Sequence, residues 1–171
     1  MPYQFQNISV LVVEDNQPMA LLTKSILETF GVSSVILARN GEEGFTLFCR
    51  HNPDIVIADW MMKPMDGIEL THLIRTEPRS PSPFVPIILM TGFSAKKRVE
   101  EARDAGVSEF LVKPFQARDL YKRIAQVIER PRQFVRAPGF FGPDRRRVRE
   151  FDDFAGPWRR TSDHSLTGKD D

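Results

Sequence analysis

One cysteine stands among the 171 residues. Cys49 has no internal partner, so a disulfide framework is excluded and a reducing compartment is expected. No apolar run approaches the roughly 18 residues that a membrane-spanning helix needs. The first residues, MPYQFQNISVLVVEDN, lack the basic stretch and small-residue cleavage site of a secretory signal. These absences together read as a cytoplasmic protein. The three histidines, His51, His72 and His164, show no metal-ligand spacing. Charge of one sign is also missing overall, because the net charge is only +1. That balance is uneven along the chain. Residues 1–130 carry 15 Lys+Arg against 16 Asp+Glu, whereas residues 131–171 carry 9 against 7, and eight of those nine are Arg. The two parts are therefore read separately.

What the first part does have is alternation. Ser9–Val13, Val35–Ala38, Ile55–Ala58, Ile87–Met90 and Phe110–Val112 are short apolar runs. Between them lie stretches of helical periodicity: from Pro18 to a closing Gly31, 41–50, 68–75, 95–105 and 117–129. A proline-rich loop, Pro78 to Pro86, precedes the fourth run. Continuously apolar strands separated by helices predict an α/β fold with a parallel sheet covered on both faces. Ligands of such sheets bind beyond the carboxyl ends of the strands. The residues there are Glu14-Asp15, Asp59, Thr91 and Lys113.

Three carboxylates at one sheet edge repel one another, by roughly 4 kcal/mol for two charges 4 Å apart at an effective dielectric near 20. They call for a cation, and hard oxygen ligands suit Mg²⁺. A carboxylate is also a nucleophile toward a phosphoryl group. The hydroxyl of Thr91 and the ammonium of Lys113 are suited to stabilise phosphoryl oxygens.

With LVVEDN, IADWMM, MTG and FLVKPF at separations of 44, 32 and 22 residues between Asp15, Asp59, Thr91 and Lys113, the chain resembles the receiver domain of two-component response regulators over about residues 6–130. The resemblance implies a (βα)5, flavodoxin-like doubly wound sheet of order 2-1-3-4-5. It implies phosphorylation of Asp59 by a histidine kinase or phosphotransfer protein. Mg²⁺ would be held by Glu14, Asp15, Asp59 and the backbone carbonyl of Met61, with a cis Lys113–Pro114 bond. Phe110 would be the switch aromatic, moving as Thr91 shifts toward the phosphoryl group. No enzymatic activity beyond Mg²⁺-dependent self-phosphorylation and self-dephosphorylation is implied. Two positions depart from the family pattern. Lys63 stands where relatives carry proline, with Pro64 one place later, and Phe110 lacks the hydroxyl that relatives can carry. Met61 and Phe93, which in relatives flank the path of an attacking water, are apolar here. Asp66-Gly67 reads as turn and helix-start chemistry.

Beyond Arg130 the helical pattern stops, and residues 131–171 read as a largely unstructured Pro/Arg/aromatic tail, too short to build its own core. Gly142-Pro143-Asp144-Arg145-Arg146 is echoed by Gly156-Pro157-Trp158-Arg159-Arg160. Such Arg forks beside aromatics suit docking to acidic or phosphate groups. The expected function is a receiver that signals by protein–protein contact, as a monomer or a phosphorylation-dependent dimer. The alternative is a nucleic-acid-binding response protein with the basic tail as its effector.

Overall fold

The computed structural model describes residues 5–92, 96–131, 133–137 and 140–143. Strands β1 (Ser9–Val13), β2 (Ser34–Ala38), β3 (Ile55–Asp59), β4 (Ile87–Thr91) and β5 (Glu109–Val112) form one parallel sheet of order β2-β1-β3-β4-β5. Between them run helices α1 (Gln17–Thr29), α2 (Gly41–His51), α3 (Gly67–Thr76) and α4 (Lys96–Ala105), and α5 (Ala117–Glu129) follows β5. Every element expected from the sequence is present, with ends moved by one residue at most.

The apolar runs are continuous because both faces of the sheet are covered. Val10, Val12, Ile57, Ile88 and Met90 face Leu27 of α1 and Leu120 and Ile124 of α5. The alternate residues Leu11, Val13, Val56 and Ala58 face Phe45 and Phe48 of α2 and Leu70 and Ile74 of α3. A third, smaller cluster joins Trp60 and Leu89 to Ala102 of α4 and to Val107. Each fully buried aliphatic side chain contributes about 1.5–3 kcal/mol. That burial fixes the register, since a one-residue slip would turn every side chain to the wrong face.

Three helices start on side-chain caps. Asn16, Asn40 and Asp66 accept from the backbone N–H groups of Met19, Glu43 and Glu69 at 2.9–3.0 Å, each contributing about 1 kcal/mol. Asp66 is thus a helix cap, as the sequence indicated.

The chain does not end its ordered part at α5. Within the segment read as an unstructured tail, β6 (Phe134–Ala137) and β7 (Phe140–Pro143) pair as an antiparallel hairpin, with Phe134 opposite Pro143 and Ala137 opposite Phe140. The short hairpin has no core of its own, but it borrows one. Phe134 and Phe141 close a ring triad with Phe84, at centroid distances of 5.1, 5.5 and 5.7 Å. The rest of the expected tail, including the second Gly-Pro-x-Arg-Arg copy, lies outside the described residues.

Candidate functional site

The sheet delivers the polar residues to one edge. β1 ends at Val13, so Glu14 and Asp15 emerge beside the tip of β3, which is Asp59 itself. Glu14 and Asp59 are buried, at 1% and 8% exposure, whereas Asp15 is exposed. One carboxylate oxygen from each of the three lies within 4.8 Å of the others. Thr91 ends β4 and is buried at 2%. Lys113 follows β5, its backbone N–H donating to the Thr91 carbonyl at 2.8 Å. Its ammonium reaches back across the edge to Glu14 Oε2 at 2.9 Å and Asp59 Oδ1 at 3.1 Å. The Lys113–Pro114 bond is cis, as the sequence implied, and Lys63–Pro64 is cis as well.

The electrostatics follow from that crowding. Burial pushes the Glu14 carboxyl above its ordinary range and Asp59 repulsion adds to it, against the lowering effect of Lys113. Burial alone would lower the Lys113 ammonium, but its bonds to Glu14 and Asp59 outweigh this and raise it. Lys113 therefore stays charged, yet a single ammonium does not fully compensate the acids. An all-oxygen, under-compensated donor set of this kind fits Mg²⁺.

Gly67 sets the geometry at the tip of β3. A Cβ there would come 2.5 Å from the Asp59 carbonyl oxygen, and the Gly67 N–H donates to the Trp60 carbonyl at 2.9 Å. The glycine is required by this close approach, beyond the turn role that its sequence position suggests. Trp60, buried at 3%, anchors the step after Asp59 in the cluster with Leu89, Ala102 and Val107. Phe110 is half-buried against the same cluster and lies opposite Leu89 on β4. Met61 is 59% exposed and Met62 is buried. Lys63 is exposed. Phe93 lies outside the described residues.

A family profile describing the response regulator receiver domain matches residues 10–125. The chain belongs to the receiver family. This receiver is 29% identical over 123 residues to the chemotaxis protein CheY of Pseudomonas aeruginosa, covering 72% of this chain and 98% of that protein. It is 35% identical over 130 residues to the transcriptional regulatory protein PdtaR of Mycobacterium tuberculosis, covering 76% of this chain and 61% of that one. Among solved structures, it is similar to the receiver domain of the Arabidopsis thaliana histidine kinase CKI1 complexed with Mg²⁺ and BeF₃⁻. That likeness has a TM-score of 0.67 and 26% identity, over 74% of this chain and 93% of the other.

Sequence reasoning missed two parts of this receiver. One is Trp60 as the anchor between Asp59 and α4, since a Trp beside a strand end carries no positional signal. The other is Arg75, which is only 4% exposed. Its guanidinium donates to the carbonyls of Gly106 (2.9 and 3.1 Å), Pro83 (2.7 Å) and Val85 (2.6 Å), with a longer contact to Ser108 Oγ at 3.5 Å. Burial lowers its pKa to about 9, but a guanidinium that fully hydrogen-bonded remains protonated at neutral pH.

Proposed function

We propose that this chain is a phosphorylatable response regulator receiver that accepts phosphate on Asp59 and signals through protein–protein contact. The observation that carries the reading is the buried Asp59 carboxylate at a strand tip, 3.1 Å from the Lys113 ammonium and within 4.8 Å of two further acids. Glu14, Asp15, Asp59 and the Met61 carbonyl would hold Mg²⁺, which supplies charge neutralisation for the transferring phosphoryl group. An Asp59 oxygen attacks phosphorus while the bond to a donor histidine nitrogen breaks, leaving an aspartyl phosphate and an imidazole. Lys113 then exchanges its pairing with Asp59 for a phosphoryl oxygen, and the Thr91 hydroxyl donates to another. The donor class, a histidine kinase or phosphotransfer protein, follows from family membership.

Incubation with a small phosphodonor and Mg²⁺ is expected to add one phosphoryl mass, and Asp59→Asn is expected to abolish the addition. Equal labelling of the variant would remove Asp59 as acceptor.

A second reading draws on the eight arginines beyond residue 130 and on the mycobacterial relative, which is named a transcriptional regulatory protein. In that reading the basic segment contacts nucleic acid. Seven acids in the same segment dilute its charge and favour the protein-contact reading. Electrophoretic retardation of nucleic acid with and without residues 144–171 separates the two.

A further inference from the structure

The hairpin lies beyond the family match, which stops at residue 125, and its seat has no clearance. A Cβ on Gly142 would come 2.9 Å from the Gly106 Cα, and a Cβ on Gly106 would come 3.4 Å from the Phe141 carbonyl oxygen. Phe134 lies over the buried Arg75 guanidinium at 4.8 Å. β7 rests against both α3 and α4. The hairpin thus presses on the turn that joins α4 to β5, at the sheet edge opposite the acceptor.

α4 connects the two edges. It begins five residues after Thr91 and ends at Ala105, beside Gly106, a span of about 15 Å at 1.5 Å per residue. Its sequence, KKRVEEARDA, offers only Val99, Ala102 and Ala105 as apolar residues, so little burial holds it in place. Ala102 packs in one cluster with Trp60, which directly follows the acceptor, and with Val107, which directly follows Gly106. Through Ala102, in the C-terminal half of this loosely held helix, α4 therefore touches both the residue after Asp59 and the residue after Gly106.

We infer that docking of the β6–β7 hairpin and phosphorylation of Asp59 oppose each other through α4. This rests on the reading of Asp59 as acceptor. The fit of Gly142 on Gly106 is complementary to the arrangement in which Lys113 pairs with Glu14 and Asp59. Moving Lys113 onto a phosphoryl oxygen draws on β5 and on the cluster around Trp60. A contact without clearance loses complementarity when its seat shifts, so phosphorylation loosens the hairpin. Linkage then requires that the docked hairpin weaken binding of a phosphoryl group or its mimic by the same factor.

The test uses the full chain with Mg²⁺ and beryllium fluoride as an equilibrium phosphoryl mimic. Amide hydrogen exchange in 134–137 and 140–142 is expected to quicken about five-fold or more when the mimic binds. Unchanged exchange in a sample shown by titration to be saturated overturns the inference, whereas failure of the mimic to bind at all counts against the acceptor reading instead. As a second arm, Gly142→Val drives a side chain into Gly106 and unseats the hairpin. The variant is expected to bind the mimic about five-fold or more tightly. Equal or weaker binding, in a variant whose main-sheet amides keep their protection, overturns the coupling.

Discussion

Glu14 is caught between burial, which disfavours its charge, and Lys113, which favours it. Because its pKa is raised in the folded state, its stabilising contribution is complete below the unfolded value near 4.5 and is lost as pH rises through the raised value. Without divalent ions, wild type is therefore expected to lose stability relative to Glu14→Gln as pH rises from 4.5 to 7.5, in thermal melts. A gap that stayed constant with pH would remove the argument. Lys113, with its pKa raised, contributes throughout that window and begins to fail only above its ordinary value near 10.5. On the proposed reading of Asp59 as acceptor, Met61 bears on the lifetime of the phosphoryl group. Its exposed thioether does not orient an attacking water, and Phe93 in the companion position is equally apolar. Restoring polar side chains with Met61→Asn and Phe93→Glu is expected to speed phosphoryl loss several-fold, since one orienting hydrogen bond contributes about 1–2 kcal/mol, or roughly ten-fold in rate. An unchanged or slower rate in a dephosphorylation time course would end the water-exclusion account.

The elements themselves were readable from the sequence because each was announced by residue type. Apolar runs of strand length lay between helical periods, and Asp66 and Asn16 stood where side-chain acceptors cap a helix. The acidic edge was legible for the same reason, since every member ends a readable strand. Arg75 was not legible. On an amphipathic helix a charged residue reads as solvent-facing, and its partners are backbone carbonyls at positions 83, 85 and 106, which leave no trace in residue identity. That single side chain ties α3 to the proline-rich loop and to the start of β5. Lysine has three donors and no planar fork, so Arg75→Lys leaves buried carbonyls unpaired and is expected to cost about 2–3 kcal/mol. A shift of the denaturant midpoint at constant slope would measure it; an unshifted midpoint would show the fork to be dispensable.

The described fold continues past α5 to Pro143. Read from sequence, the receiver ends at Arg130, because a short aromatic segment rich in proline and arginine cannot build a core; β6 and β7 lie beyond that point. They pack instead on apolar surface supplied by Phe84 and on the face of Arg75. A chain ended after Pro143 keeps every described element and serves as the reference. Ending it after Arg130 removes three aromatic contacts, each worth about 0.5–1.5 kcal/mol, and is expected to lower the melting temperature measurably. Equal melting of the two truncations would show the hairpin to be a passenger.

The placement of β1 between β2 and β3 also sets an order of events at the ribosome. Within this sheet, the first strand in chain order waits for Ile55–Asp59 before its second side is covered, and that same pairing gathers the three carboxylates. Lys113, the cation that offsets them, is 54 residues further on, about 3–11 s of synthesis at 5–20 residues per second. A nascent chain of the first three strands therefore holds its acids together without their ammonium. Completion of the sheet must await β5, so the charge balance of the acidic edge is set only when the last strand of the receiver has been made.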